Sequence, residues 1–496
     1  MTTTTGPNSE TAPTEDPVAQ GRRGAPVLFR GGTVLTMDPH GTVLKRGDVL
    51  VAGDRIQQVA ESIEVPEDAV VIDAEGGIVT PGFIDTHRHM WQTAMRGYGA
   101  DWSLTQYFVW NYLEHGAKFR PQDIYAGNLL SALEAVDSGV TTSVDWSHGL
   151  VTTEHADAAV DALEEVAGRF VFAYGNIHAG PWEWSTAPEF RDFVDRRIPT
   201  SGAPGENLLG FQMAFDVTGD PEFPEKRAFE VARDLGAPVT THAGVWGATG
   251  DDGIRLMHEH GFMDSSTVYV HAATLSEDSY QRIAATGGSA SVSAESESSC
   301  GQGYPSSWAL RKHGIPISLS VDTSMWWSAD PFAAMRATLS ADRAREHLTH
   351  QSEGQTCTNL SLRADQVVGW ATRGGAEALG MEDRLGSLEP GKKADVVLIK
   401  NDDDPAMFPI LNPYGHVVFQ AQRGDVDTVM VDGRLVKHAH VLVDVDLAKA
   451  RRAVEETVGQ LYSELGEQEW SAGMHPEVPE AEVPENPYTY TEYGKG

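Results

Sequence analysis

Cysteine is nearly absent from this chain. Cys300 and Cys357 are the only two in 496 residues, and no CxxC pair occurs. That excludes a small secreted scaffold stapled by disulfides and fits a reducing cytoplasm. Basic charge is scarce as well. Lys and Arg number 37 against 72 Asp and Glu, for a net charge of −35. A surface of that sign repels phosphate backbones, so no nucleic-acid partner is expected. Apolar runs are short, and none approaches the roughly 20 residues needed to cross a bilayer. The N-terminus lacks the basic-then-apolar layout of a secretory signal. These gaps leave a cytoplasmic protein whose partner is a small molecule. The length is too great for one ordinary domain and suits a large barrel with a satellite domain.

What is present centres on residues 78–92, IVTPGFIDTHRHMWQ. An apolar run meets a Pro-Gly break and leads into His87-Arg88-His89. Alternate strand residues point to one side, which puts His87 and His89 together, about 6–7 Å apart along the strand. Two imidazoles so placed can grip one metal ion. An HxH pair alone is a weak signal. Further apolar runs supply support: APVTTHAG carries His242, STVYVHAAT carries His271 and IPISLSVDTS carries Asp322. Each polar residue closes a short β-like segment and is followed by small residues. In a parallel (β/α) barrel, chemistry gathers at that end of the strands.

Taken in order, residues 1–25 carry almost no large apolar side chain and read as a flexible tail that can be removed. Residues 26–80 alternate apolar and polar positions in short strands. The same pattern returns over 386–442, in GKKADVVLIK and VDTVMVDGRLVKHAHVL. Residues 81–385 alternate strands with helical stretches, and the strands count to eight without forcing. QDIYAGNLLSALEAVDSG and HADAAVDALEEVAG are the clearest helices. The third strand is expected to end at His178 and the second at Asp145-Trp146-Ser147-His148. Residues 443–466 read as a closing helix, within a C-terminal segment (443–496) that ends in an extended tail. The expected fold class is α/β: a (β/α)8 TIM-type barrel. The two ends form either one small β-sandwich or, for the C-terminal part, an independent β-domain.

The motifs PGFIDTHRH, THAG, VHAAT and SVDTS resemble the amidohydrolase superfamily over roughly residues 27–440. The likeness is nearest to its cytosine deaminase and triazine chlorohydrolase branch, which includes 8-oxoguanine and S-adenosylhomocysteine deaminase-like members. It implies a single sandwich built from both chain ends. It also implies one divalent metal per chain, zinc ahead of iron, held by His87, His89, His242 and Asp322, with His271 nearby and contacting substrate. Dinuclear relatives carry a bridging lysine at the end of strand four. The stretch NLLGFQMAFDV has none, which favours a single ion. A homo-oligomer, dimer or tetramer, is expected.

Such a site lowers the pKa of bound water, and the resulting hydroxide attacks an electrophilic carbon of a nitrogen heterocycle or related aromatic compound. Asp322 accepts the proton, and His271 donates to the atom that gains negative charge. One position departs from the family pattern. Where its deaminases place a Glu three residues after the strand-five His, Val245 stands. Either Glu295 or Glu297, in SVSAESESSCGQG, replaces that acid, or Asp322 moves every proton. Aromatic residues gather after the strand ends: Trp91, Trp102, Tyr107, Trp110, Trp182, Trp184, Trp246, Trp326 and Trp327. Trp91, Gln92, Trp182, His271 and Trp326 are the expected substrate contacts for a flat ligand. Deamination or an equivalent C–N or C–X hydrolysis is the leading reading. Ring-amide hydrolysis or decarboxylation at the same metal is the alternative, and a non-catalytic ligand-binding barrel the remaining one.

Overall fold

A computed structural model describes residues 24–199, 202–245 and 250–478. The tail expected over 1–25 lies outside them except for its last two residues, as does the chain beyond 478.

Eight parallel strands form the barrel: β6 (Phe83–Arg88), β7 (Val140–Ser147), β8 (Arg169–Tyr174), β9 (Leu209–Ala214), β10 (Val239–Ala243), β11 (Thr267–His271), β12 (Ser289–Val292) and β13 (Ile317–Leu319). Each pairs with its sequence neighbour. Every residue of β6, β7, β8 and β10 is buried, as expected for strands covered on both faces. The last gap closes through single backbone bonds beyond β13. Asp322 N–H donates to the His87 carbonyl at 3.1 Å, and His89 N–H donates to the Asp322 carbonyl at 2.8 Å. Barrel closure and the HxH motif therefore share the same atoms.

The connecting helices are α1 (Pro121–Asp137), α2 (Thr153–Glu165), α3 (Pro188–Arg197), α4 (Lys226–Leu235), α5 (Asp251–Glu259), α6 (Glu277–Thr286), α7 (Ala294–Cys300), α8 (Ser307–His313) and α9 (Pro331–Ser352). α1 shows how local sequence sets the boundaries. Pro121 opens it, the Asp123 carboxylate takes the Arg120 N–H at 2.8 Å, and Gly139 at φ 88° turns the chain into β7. Gly127 on α1 faces the Trp91 carbonyl so closely that a Cβ would overlap it. This contact seats the turn that follows the HxH motif.

The chain ends meet in a second sheet. β1 (Val27–Leu35), β2 (Val43–Ala52), β3 (Arg55–Ala60), β4 (Val70–Asp73) and β5 (Ile78–Pro81) join β14 (Val396–Ile399), β15 (Val426–Val431), β16 (Arg434–His438) and β17 (Val441–Leu442). The seam is antiparallel, with Val397 opposite Thr80 and Val396 opposite Pro81. Val27, Phe29, Val49 and Val51 from one end share a core with Val396, Leu398 and Met430 from the other. Each such buried side chain contributes about 1.5–3 kcal/mol. An independent C-terminal β-domain is thereby excluded.

Three boundaries differ from the sequence reading. β8 stops at Tyr174, so His178 lies in the following loop with its N–H on Asn176 Oδ1. The seventh strand, read through the run that holds Glu295 and Glu297, stops at Val292, and both residues stand on α7. The Glu297 carboxylate takes the Ser293 N–H at 2.8 Å and so anchors the start of that helix, where acidic side chains also suit its dipole. The closing helix, α10, runs Leu447–Gly473, with a break at Gly466.

Candidate metal centre

The strand ends bring the predicted residues together. His87 and His89 leave β6 on one side, as the alternation requires, with ring centroids 4.6 Å apart. His242 closes in from β10, at 5.0 Å from His87 and 5.6 Å from His89. His271, at the end of β11, lies 5.6 Å from both His87 and His242. Asp322 Oδ1 sits 3.4 Å from Nε2 of His87 and 3.4 Å from Nε2 of His89. His271 and Asp322 both adopt left-handed backbone, with φ of 69° and 62°. Few non-glycine residues do so, and such outliers cluster at functional sites.

Two of the rings are held for coordination by a bond on the far side. His89 Nδ1–H donates to the Trp146 carbonyl at 2.9 Å, and His242 Nδ1–H to Asp216 Oδ1 at 2.9 Å. That leaves Nε2 of each ring as the lone-pair donor, the usual arrangement of a metal-ligating histidine. Burial holds His87 and His242 well below the ordinary histidine range and lowers His89 too, so the rings are neutral, as ligands must be. Burial opposes a charge on Asp322. The imidazoles of His87 and His89, each with Nε2 at 3.4 Å from Oδ1, outweigh it and hold the carboxyl well below 3.8.

The donor set fits a metal. Both ring nitrogens of His87 are buried with no hydrogen-bond partner among the described residues, a costly state for polar atoms that have nothing to bind. Ligand atoms of His87, His89 and Asp322 lie within 4.8 Å of one another, as do those of His87, His242 and His271. Three imidazoles and a carboxylate suit a zinc-class ion.

Residues 78–436 match the model of the amidohydrolase family. The chain belongs to that family. This places the amidohydrolase among hydrolases of carbon–nitrogen bonds. It is 28% identical over 440 residues to a 5-methylthioadenosine/S-adenosylhomocysteine deaminase of Pelotomaculum thermopropionicum, covering 86% of this chain and 96% of the relative. It is 27% identical over 454 residues to a 5'-deoxyadenosine deaminase of Methanosarcina mazei, covering 88% of this chain and all of the relative. Among solved structures, a zinc-bound adenosine deaminase from Xanthomonas campestris superposes with a TM-score of 0.74 at 19% identity, covering 88% of this chain and 99% of the other. A mutant atrazine chlorohydrolase from Arthrobacter aurescens, with zinc and atraton, superposes with a TM-score of 0.73 at 21% identity, covering 88% and 100%.

The remaining expected residues of this amidohydrolase fall into different places. Val245 is buried beside the His242 strand end, and Trp246 lies outside the described residues. Glu297 is fully buried. Its Oε1 meets His271 Nδ1 at 3.3 Å as well as the Ser293 N–H. Burial raises its carboxyl above 4.5, against the pull of His271. Glu295 is half-buried and takes a hydrogen bond from the Ser328 hydroxyl at 3.3 Å. Trp91 is not a mouth residue. Its ring is wholly buried against Phe119, and its Nε1–H donates to His148 Nδ1 at 3.2 Å. The apolar indole fills the space behind the HxH turn. Gln92 is buried too, with Nε2 on the Tyr107 hydroxyl at 2.5 Å and Oε1 unpartnered among the described residues. Trp326 packs 4.5 Å from Tyr107 with its Nε1 unpartnered among the described residues. Trp182 is half-buried on a short helix, Pro181–Trp184. Trp102 and Trp110 belong to the core under α10. Trp102 Nε1–H donates to the Gly473 carbonyl at 3.0 Å.

Four residues of the site were not singled out from the sequence. Asp216 follows β9 and holds both the ring and the N–H of His242, at 2.9 and 3.0 Å. Its side chain is 38% exposed, and the surrounding protein pushes its carboxyl up to about 6 by desolvation. Trp146 packs its indole against His87, His89 and His242. Ser296 on α7 donates its hydroxyl to Asp322 Oδ2. Tyr112 meets His148 Nε2 at 2.6 Å, and the His148 ring lies 4.1 Å from that of His89.

Proposed function

We propose that this amidohydrolase is a metal-dependent deaminase of an amino-substituted nitrogen heterocycle, with adenine-type nucleosides the first substrates to try. The observation that carries the reading is the convergence of neutral His87, His89 and His242 with anionic Asp322 at the C-terminal ends of barrel strands. The names of the relatives support the substrate class. These four residues would hold a divalent metal, which when bound would supply the Lewis acidity that makes water nucleophilic near neutral pH. The protein's own residues do the rest. Asp322 has one oxygen beside two imidazoles and the other fixed by Ser296, which positions it to take and return a proton. His271, its Nδ1 fixed by Glu297, offers Nε2 to the ring atom that becomes negative. Gln92 Oε1 and Trp326 Nε1, without a partner among the described residues, are the groups we assign to a heterocycle edge.

Val245 favours a second reading. A valine moves no proton, so a leaving group that needs little protonation, or ring hydrolysis, suits this site better than it suits deaminases with a Glu there. Zinc, a cytoplasmic location and a homo-oligomer complete the proposal. Exposed Phe408, Leu411 and Phe419 provide an apolar surface for a subunit contact.

The test is a screen of amino-, halo- and oxo-heterocycles, including adenine nucleosides, with ammonia release and product mass followed together. Ammonia release with a product one oxygen-for-nitrogen exchange away supports deamination. A product formed with no ammonia from any amino compound overturns it in favour of the second reading.

A further inference from the structure

Away from the barrel mouth, a second set of metal-ligating side chains comes together. Glu346 and His350 stand one turn apart on α9, on the same face. The chain leaves α9 at Ser352 and folds back, bringing Cys357 to them. A carboxylate oxygen, a ring nitrogen and the thiol sulfur lie within 4.8 Å of one another. Glu346 lies fifteen residues along α9 from Pro331, roughly 20 Å from the helix start near the Asp322 loop.

The cluster is built rather than incidental. Glu346 is 4% exposed, and both its oxygens take the Ser361 N–H, at 3.0 and 3.1 Å. That bond pins the returning loop over the carboxylate. Arg343 adds two bonds to the Leu362 carbonyl, at 3.2 and 3.1 Å. His350 Nδ1 is buried with no hydrogen-bond partner among the described residues. Cys357 is half-buried, and its thiol touches the Asn359 carbonyl at 3.4 Å. A buried imidazole nitrogen with no partner among the described residues thus belongs to a ring that meets a thiol and a carboxylate.

We infer that Glu346, His350 and Cys357 bind a second divalent cation of the zinc class, which clips residues 353–362 to α9. One oxygen, one nitrogen and one sulfur donor suit zinc, with water as the fourth ligand. Binding forms a metal–sulfur bond, and the Cys357 thiol proton is released to solvent. We assign it a structural role, because Glu346 lies roughly 20 Å along α9 from the helix end nearest the Asp322 loop.

Cobalt(II) distinguishes the two centres. The barrel site has no thiolate among its ligands, so a thiolate-to-cobalt charge-transfer band in the near ultraviolet reports the α9 site alone. The full-length protein, stripped of metal and reconstituted with cobalt under reducing conditions, is expected to show this band. Zinc should remove it. Cys357→Ser should abolish it while hydrolytic activity with restored metal stays unchanged, and His350→Ala should lose it at the same cobalt concentration. No band at saturating cobalt overturns the assignment. So does a band that survives in Cys357→Ser, which would place the thiolate at Cys300.

Discussion

Glu297→Gln separates a group that positions His271 from one that carries protons. One oxygen of Glu297 serves both the Ser293 N–H, at 2.8 Å, and His271 Nδ1, at 3.3 Å. The other has no partner among the described residues. Glutamine keeps the working oxygen in place, so Ser293 stays satisfied and the fold should be little affected. What is lost is the capacity for charge opposite the imidazole. A hydrogen bond to a charged group is worth about 1.5–3 kcal/mol and a neutral one about 0.5–1.5. The difference, about 1–1.5 kcal/mol, predicts a fall in kcat of about tenfold. Glu297→Ala removes the acceptor as well. It should cost about 1–3 kcal/mol of stability for the stranded Ser293 N–H and lower the rate further. Steady-state kinetics on the best substrate, metal content and thermal unfolding would be measured on all three proteins. A loss of 10²–10⁴-fold in Glu297→Gln with metal retained would refute the positioning role, because that is the worth of a proton-transferring group. An unchanged rate in Glu297→Ala would refute any role.

His87→Ala should lose both activity and one metal equivalent per chain, and full metal occupancy by elemental analysis would sink the ligand assignment. Val245→Glu should raise ammonia release from an amino-heterocycle by at least about tenfold; no change would show that the missing acid does not limit the rate. Asp145→Asn tests a buried charge. Burial pushes the Asp145 carboxyl up to about 7, against hydrogen bonds from Asn128 and the Met90 N–H, whereas in the unfolded chain it sits near 3.9. The folded state therefore holds a proton that the unfolded state releases. This stability is full below about pH 4 and is lost as pH rises through about 7, by at most about 4 kcal/mol. Denaturant unfolding at about pH 5 and pH 8 should show the wild type declining relative to the variant, and parallel behaviour would refute the assignment.

The barrel was legible because its strands end in a repeated pattern: a buried β-branched run, one polar residue, then small residues. That pattern follows from a parallel sheet covered on both faces, and it placed His87, His89, His242, His271 and Asp322 before any coordinates. The partners of those residues were not legible. Asp216 and Ser296 sit in runs where several polar residues follow one another, and periodicity does not tell which of them turns inward. Glu297 was named as a candidate acid, but its contact with His271 depends on a helix, α7, of seven residues that the run of Ser and Glu does not announce. The aromatic residues misled for a related reason. Trp102 and Trp110 follow a strand end, as mouth residues do, but the chain returns more than 350 positions later and covers them with α10. No local pattern encodes that return.

The partners also bear on the acid missing at Val245. Of the carboxyls that meet these rings, two are already engaged on the far side: Asp216 on His242 and Glu297 on His271. Glu295 is bonded to Ser328, away from the histidines. Among the described residues, only Asp322 presents an oxygen to two of these imidazoles at once, and Ser296 fixes its other oxygen. A carboxylate held low by that environment is ionised and open to a proton, but it is a weak base and a reluctant carrier of one. It can still pass on a proton it has just taken from water, within one turnover. The proposed reading therefore assigns both halves of the transfer to Asp322. A site of that kind works best where the ring, not the leaving group, is protonated through His271.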